Sequence, residues 1–231
     1  MATIASTIRF QSNLIPPLQN GDHLTREEFE RRFDATPNLK KAELIEGVVY
    51  MAPVSHEFHG QPLFDLIAAL GIYRFATPGV LGAGDASIRL DPKNMPQPDT
   101  YLLIDPNLGG QTRIDDEGYV RGGPEFIAEV AASSASYDLY EKMNLYLRHQ
   151  VREYLVWRVY DKGFDWFTLG KGKFNRLAPD SGGVFRSRVF PGLWLDSPAL
   201  LRRDYTTVSK VLQRGLKSKE HRAFLKKLRT A

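Results

Sequence analysis

Residues 124–159, PEFIAEVAASSASYDLYEKMNLYLRHQVREYLVWRV, decide the fold. After Pro124, residues 125–130 form a short, almost wholly apolar run of the length a buried strand needs. Residues 136–149 place Leu139, Met143, Tyr146 and Leu147 at helical spacing, which predicts an amphipathic helix. A second apolar run over residues 153–159 predicts another strand. One residue disturbs this strand–helix–strand reading. Glu129 is a carboxylate near the end of a strand that otherwise reads as core, and an ionised carboxylate there is costly unless paired, protonated or metal-bound.

Upstream, residues 99–104 follow Pro98 and read as a second buried strand, with Asp99 as its opening residue. Residues 80–90 alternate loosely and predict one strand. Residues 56–75 carry Leu63, Leu66, Ile67 and Leu70 at helical spacing and end before Pro78-Gly79. The segment AELIEGVVYM, residues 42–51, predicts a strand pair or one bent strand turning at Gly47 and ended by Pro53. Thr25 caps a helix that runs to about Asp34, Glu28 completes a capping box, and Phe29 and Phe33 supply the buried stripe. Downstream, the turn at residues 115–118 predicts a surface hairpin. Residues 164–169 pair with 174–177, residues 190–195 form a last strand-like segment, and residues 201–231 form a basic helical tail. The pattern gives a mixed α/β core with added hairpins. Three parts are expected: an irregular arm over residues 1–23, a domain over 24–200, and the tail.

The composition fits a globular chain: 231 residues, 42% hydrophobic, 11% aromatic and no cysteine. Without cysteine there is neither a disulfide framework nor a Cys-ligated zinc site. The N-terminus lacks a signal-peptide apolar run and no stretch is long enough to cross a bilayer, so a cytoplasmic protein with no membrane partner is expected. No GxGxxG, Walker loop, GxSxG or HExxH occurs. The formal net charge of +4 hides a division, because residues 202–231 sum to +8 and the remaining residues to −4. That division excludes a uniformly basic nucleic-acid coat. It leaves the tail as either a contact for DNA phosphates or a solvated helix that aids solubility.

Asp99 and Glu129 would converge on one oxygen-ligand site if their strands are neighbours. Taken singly, each acid could instead cap a turn or meet an arginine. Lys142 follows on the next helix, where it either reaches back to the carboxylates or lays its stem on the core with its amine in water.

Taken in order, several strings resemble the Uma-two family of restriction-endonuclease-like proteins with the PD-(D/E)XK nuclease fold, over roughly residues 24–198. They are Glu43-Leu44-Ile45-Glu46-Gly47-Val48-Val49-Tyr50-Met51, then His59, then Gln97-Pro98-Asp99, then Pro124-Glu125-Phe126-Ile127-Ala128-Glu129-Val130, and Tyr140-Glu141-Lys142 through Val151-Arg152-Glu153-Tyr154. The resemblance implies a central mixed β-sheet flanked by helices and a Mg²⁺- or Mn²⁺-dependent phosphodiesterase acting on nucleic acid, with DNA as the expected partner. Asp99 and Glu129 match its metal-binding acids, and Glu43 and His59 match recurrent positions that line its cleft. The lysine expected two residues after the second acid is absent, since Ala131 stands there, and Lys142 is the candidate replacement. Three readings follow. They are an endonuclease, a DNA- or metal-binding relative that does not cut, and an interaction module forming a homodimer through the surface hairpin or residues 164–169.

Overall fold

A computed structural model of the chain describes residues 15–51 and 55–230. Helix α1 (Arg26–Asp34) starts at Thr25, whose hydroxyl accepts from the Glu28 amide. The Glu28 carboxylate does not return to the cap; it binds Arg31 and Arg32 instead. The hairpin of β1 (Glu43–Ile45) and β2 (Val48–Tyr50) turns at Glu46-Gly47, both at positive φ. Phe29 of α1, Leu18, Leu44 and Val49 form a small core beneath this hairpin. Pro53 and most of the expected N-terminal arm lie outside the described residues.

A π-helical turn (His56–Gly60) leads into α2 (Gln61–Phe75). The single strand expected over residues 80–90 is two, β3 (Val80–Gly84) and β4 (Ile88–Arg89), in different sheets. Asp85, at φ 49, turns the chain between them. Next come β5 (Thr100–Ile104), the expected surface hairpin of β6 (Arg113–Ile114) and β7 (Val120–Arg121), and β8 (Phe126–Ala131). The helix expected over 136–149 forms in three pieces: α3 (Ala135–Tyr137), a second π turn (Asp138–Lys142) and α4 (Met143–Arg148). Strands β9 (Glu153–Arg158), β10 (Gly163–Gly170) and β11 (Lys173–Arg176) follow, then β12 (Val184–Arg186) with β13 (Trp194–Asp196). Helices α5 (Ser197–Leu201), α6 (Tyr205–Leu216) and α7 (Lys219–Arg229) complete the chain.

The main sheet has six strands in the order β11-β10-β9-β8-β5-β3. Only β8 and β9 run parallel, and the α3–α4 segment joins them as a parallel pair requires. Side chains alternate across β8. Phe126, Ala128 and Val130 face a core shared with α2 and the C-terminal helices, whereas Ile127 and Ala131 face α4. The tail is helical as expected, but it is no loose appendage. Val208, Leu212, Phe224 and Leu228 belong to the same core as Leu66, Leu70 and Trp166. A Cβ on Gly192, which sits at φ 93, would stand 2.8 Å from the His221 Cβ. Strand β10 pairs with β9 over Gly163–Thr168 and with β11 over Phe167–Gly170, so within the segment 164–169 of the expected dimer contact residues 167–168 are paired on both sides. Among the described residues no helix is long and apolar enough to cross a membrane.

Candidate active site

The β5–β8 pairing ends with Thr100 opposite Ala128. One step further places Asp99 opposite Glu129, and directly opposed residues present side chains on the same face. The Glu129 Oε2 accepts from the Asp99 amide at 3.2 Å, and Asp99 Oδ2 accepts from the Val130 amide at 2.7 Å. Each acid thus anchors the other's backbone at the sheet end. Both are nearly enclosed, Asp99 at 3% exposure and Glu129 at 2%.

Three cations close on this pair. Lys142, on the second π turn, brings Nζ to 3.0 Å from Glu129 Oε1, 2.9 Å from Glu43 Oε1 and 3.8 Å from Asp138 Oδ1. Lys41, just before β1, places Nζ 2.5 Å from Asp99 Oδ1 and 3.1 Å from Asp85. His59, on the first π turn, reaches Asp99 Oδ1 with Nε2 at 3.3 Å and the Val130 carbonyl with Nδ1 at 3.0 Å. Both of its ring nitrogens face acceptors, an arrangement that favours the protonated ring. The Tyr146 hydroxyl donates to Glu129 Oε1 at 2.9 Å, and Glu43 Oε1 also accepts from the Gln97 amide at 2.8 Å. Glu43, Asp99, Glu129, Asp138 and the three basic groups line a cavity of ≈ 580 Å³ whose walls include Tyr137 and Tyr160.

Four acids, Glu43, Asp99, Glu129 and Asp138, thus face three basic groups, Lys41, His59 and Lys142. Burial pushes Glu129 up to about 8; Lys142 pulls it down, and the other three carboxylates push it up again. Burial likewise raises Asp138. Burial opposes the charge on Lys142, but Glu129, Glu43 and Asp138 outweigh it and keep the amine protonated. For Asp99 burial is outweighed by the His59 hydrogen bond and the Lys41 charge, which hold the carboxyl well below the usual range. Burial acts to lower His59, and the hydrogen bond to Asp99 overrides it and raises its pKa.

All five residues singled out in the sequence, Glu43, His59, Asp99, Glu129 and Lys142, meet in this one cavity. Lys142 does not snorkel, since it is 3% exposed with its amine turned inward. The sequence reading missed Lys41 and Asp138 and took Tyr146 only for a core residue. The signals were there. Lys41 stands two residues before Glu43, on the same face of an extended segment, and Asp138, Lys142 and Tyr146 follow one another at intervals of four.

Among the described residues no three His, Asp or Glu side chains are grouped so as to hold a metal by themselves. A divalent ion here would take oxygens from Asp99 and Glu129 and complete its shell with water and phosphate, which is how Mg²⁺ is commonly held. The hard oxygen donors fit such an ion. A second hollow, of ≈ 330 Å³, is lined by Arg26, Arg89 and Arg121. Arg89 and Arg121 are already paired there with Glu30 and Asp115.

The family described as "Uma2: Putative restriction endonuclease" matches residues 26–198. Among solved structures, the chain is similar to a crystal structure described as a "putative nuclease belonging to DUF820" from Anabaena variabilis ATCC 29413. The TM-score is 0.61 at 12% identity, and the match covers 78% of this chain and 98% of that one. At that identity the likeness is one of fold. No curated protein matches the chain.

Proposed function

We propose, from the fact that this chain belongs to the Uma2 family of restriction-endonuclease-like proteins, that its carboxylate cavity hydrolyses phosphodiester bonds in DNA with a divalent cation. The observation that carries the reading is the register-imposed meeting of Asp99 and Glu129 with the Lys142 amine 3.0 Å from Glu129. Asp99 and Glu129 would hold Mg²⁺ or Mn²⁺. When bound, such an ion polarises a phosphate oxygen and lowers the pKa of water.

The remaining roles belong to the side chains. Lys142 is a positioning residue: tied to Glu129 and Glu43, it keeps the Glu129 carboxylate turned toward Asp99. Lys41, less enclosed than Lys142, is the cation able to leave Asp99 for a phosphate oxygen. In its protonated form His59 has a proton on Nε2 beside Asp99, while Nδ1–H fixes the ring on the Val130 carbonyl. That proton is available to a departing oxygen.

The test is cleavage of supercoiled, linear duplex and single-stranded DNA by purified protein with Mg²⁺ or Mn²⁺. Wild-type protein cuts at least one form, and Asp99→Asn and Glu129→Gln abolish cutting while keeping the wild-type far-UV spectrum. Absence of cutting on every form refutes the reading. Ala131 at the usual lysine position and the enclosure of Lys142 favour one second reading, a metal-binding relative that does not cut. Calorimetry showing Mg²⁺ bound through Asp99, without cleavage, would select it.

A further inference from the structure

Helix α2 has two apolar faces. Leu63, Leu66, Leu70 and Tyr73 face the main core. The opposite face presents Phe64, Ile67, Ala68, Gly71, Ile72 and Phe75, the i, i+3, i+4, i+7, i+8, i+11 series of one helical stripe. Phe64 is 70% and Phe75 79% exposed. The only charged residues of the helix are Asp65, which is buried and bound by Gln61 and Tyr205, and Arg74. A surface helix normally turns charge outward, and a helix apolar all round is normally covered on all sides.

Two further features say what covers it. At the C-terminal end of α2 lies a hollow of ≈ 480 Å³ walled by Ile72, Phe75, Leu216 and Leu225. Near the N-terminal end stands Phe64, a bulky projection about 16 Å away along the helix axis. A projection and a hollow at opposite ends of one helix are complementary to themselves under a two-fold axis, because each copy fills the other's hollow. The axis would pass near Ala68 and Gly71. A Cβ on Gly71 would meet nothing within 4 Å, and its φ is not in the left-handed range. Packing within the chain therefore gives no reason for a glycine that weakens the helix interior. Close approach of a second helix gives one.

We infer that α2 is a homodimer interface in which two antiparallel copies cross at Ala68–Gly71 and each Phe64 enters the other copy's Ile72–Phe75–Leu216–Leu225 hollow. The area suffices. With an aromatic side chain offering ~150–250 Å², the stripe supplies about 450 Å² per copy. The walls of the hollow carry the pair past the roughly 1,000 Å² of a specific interface.

The experiment is light scattering of the full chain during size-exclusion chromatography at about 50 μM, well above a micromolar dissociation constant. Wild-type protein elutes at twice its chain mass of 26.2 kDa. Phe64→Glu and Gly71→Leu each raise the dissociation constant by about 30-fold or more. Both stay folded, since Phe64 is exposed and the Gly71 Cβ direction is open; Gly71→Leu melts at or above the wild-type temperature in the dilute, monomeric protein. A wild-type monomer at that concentration overturns the inference, as does a dimer indifferent to both substitutions. Removal of residues 1–14 leaves the dimer intact. Loss of the dimer on that truncation would make the N-terminal segment the occupant and also overturn it.

Discussion

Replacing Lys142 by methionine keeps an unbranched stem one atom shorter and removes the charge that Glu129, Glu43 and Asp138 share. An ion pair at 3 Å in surroundings of effective dielectric ~20 is worth about 5 kcal/mol before desolvation, which costs several kcal/mol for each ion. Removing one partner of such a buried cluster leaves a net penalty of about 3–5 kcal/mol, a large part of a domain's whole stability. The penalty depends on pH, and its sign follows from Glu129. Its ordinary value of 4.5 rises to about 8 in the folded protein, so the native state holds the extra proton. That contribution is complete below pH 4.5 and lost as pH rises through about 8. Without Lys142 the carboxylates cling to protons more strongly still. The variant is then nearest to wild type at about pH 5 and falls furthest behind at about pH 8.5, where wild-type protein has ionised Glu129 against Lys142. Urea unfolding followed by circular dichroism at both pH values measures this. Adding Glu129→Gln to the variant should recover about half of the high-pH loss, because it removes the unpaired charge. A loss under about 1 kcal/mol, or one equal at both pH values, would refute the charge arrangement on which the site rests.

Three other outcomes follow from particular interactions. Glu153 is buried without a counterion, accepting from the Ser187 hydroxyl at 2.6 Å and the Arg188 amide at 2.7 Å, and burial raises it to about 7. Its share of stability is present below its ordinary value of 4.5 and lost as pH rises through about 7, so Glu153→Gln should flatten the unfolding free energy across that window. Gly192→Ala sets a Cβ against His221 at positive φ and should cost about 2–4 kcal/mol, read as a lowered midpoint in urea. Changing Lys219, Lys226 and Lys227 to glutamine on an Asp99→Asn background should reduce the slope of log affinity against log salt on duplex DNA by about 0.9 for each phosphate no longer neutralised, and an unchanged slope removes the tail from DNA binding.

Much of the fold was legible because burial leaves a period in sequence. The apolar runs over residues 99–104, 125–130 and 153–159 each became a strand of the main sheet, and the run carrying Glu129 lies beside the one carrying Asp99. The two π turns were not legible. A wider turn shifts the helix face by part of a residue step, and the spacing rule assumes a uniform helix. In α3–α4 the shift turns Asp138 and Lys142 inward with Leu145 and Tyr146 and leaves Leu139 and Met143 only half-buried. The expected stripe of Leu139, Met143 and Tyr146 does pack on the core, but Asp138 and Lys142 turn inward beside it, and Lys142 looked like a borderline surface residue. Lys41 was hidden for another reason. It precedes its strand, and its role comes from a partner 58 positions away in sequence that no local pattern encodes.

The division of charge takes a definite geometry once the helices are placed. His59 stands just before α2, whereas the His221 ring of α7 lies 3.0 Å from the Thr77 hydroxyl just beyond its other end. The carboxylate cavity and the His221 end of α7 are therefore separated by about the length of a fifteen-residue helix, roughly 22 Å. Along one strand of duplex DNA, at 3.4 Å per nucleotide, that distance takes about six or seven nucleotides to bridge. The cations of α7 cannot assist a phosphate sitting over Asp99; they can only hold a neighbouring stretch of the same polymer. On the proposed function the cations of α7 would bear on the affinity of long nucleic acids and not on the chemical step, whereas Arg202 and Arg203 stand nearer the cavity, beside the Tyr205 that bonds Asp65 in the first turns of α2. Charge removal in α7 should weaken binding of a duplex long enough to reach both places and leave a tetranucleotide unaffected.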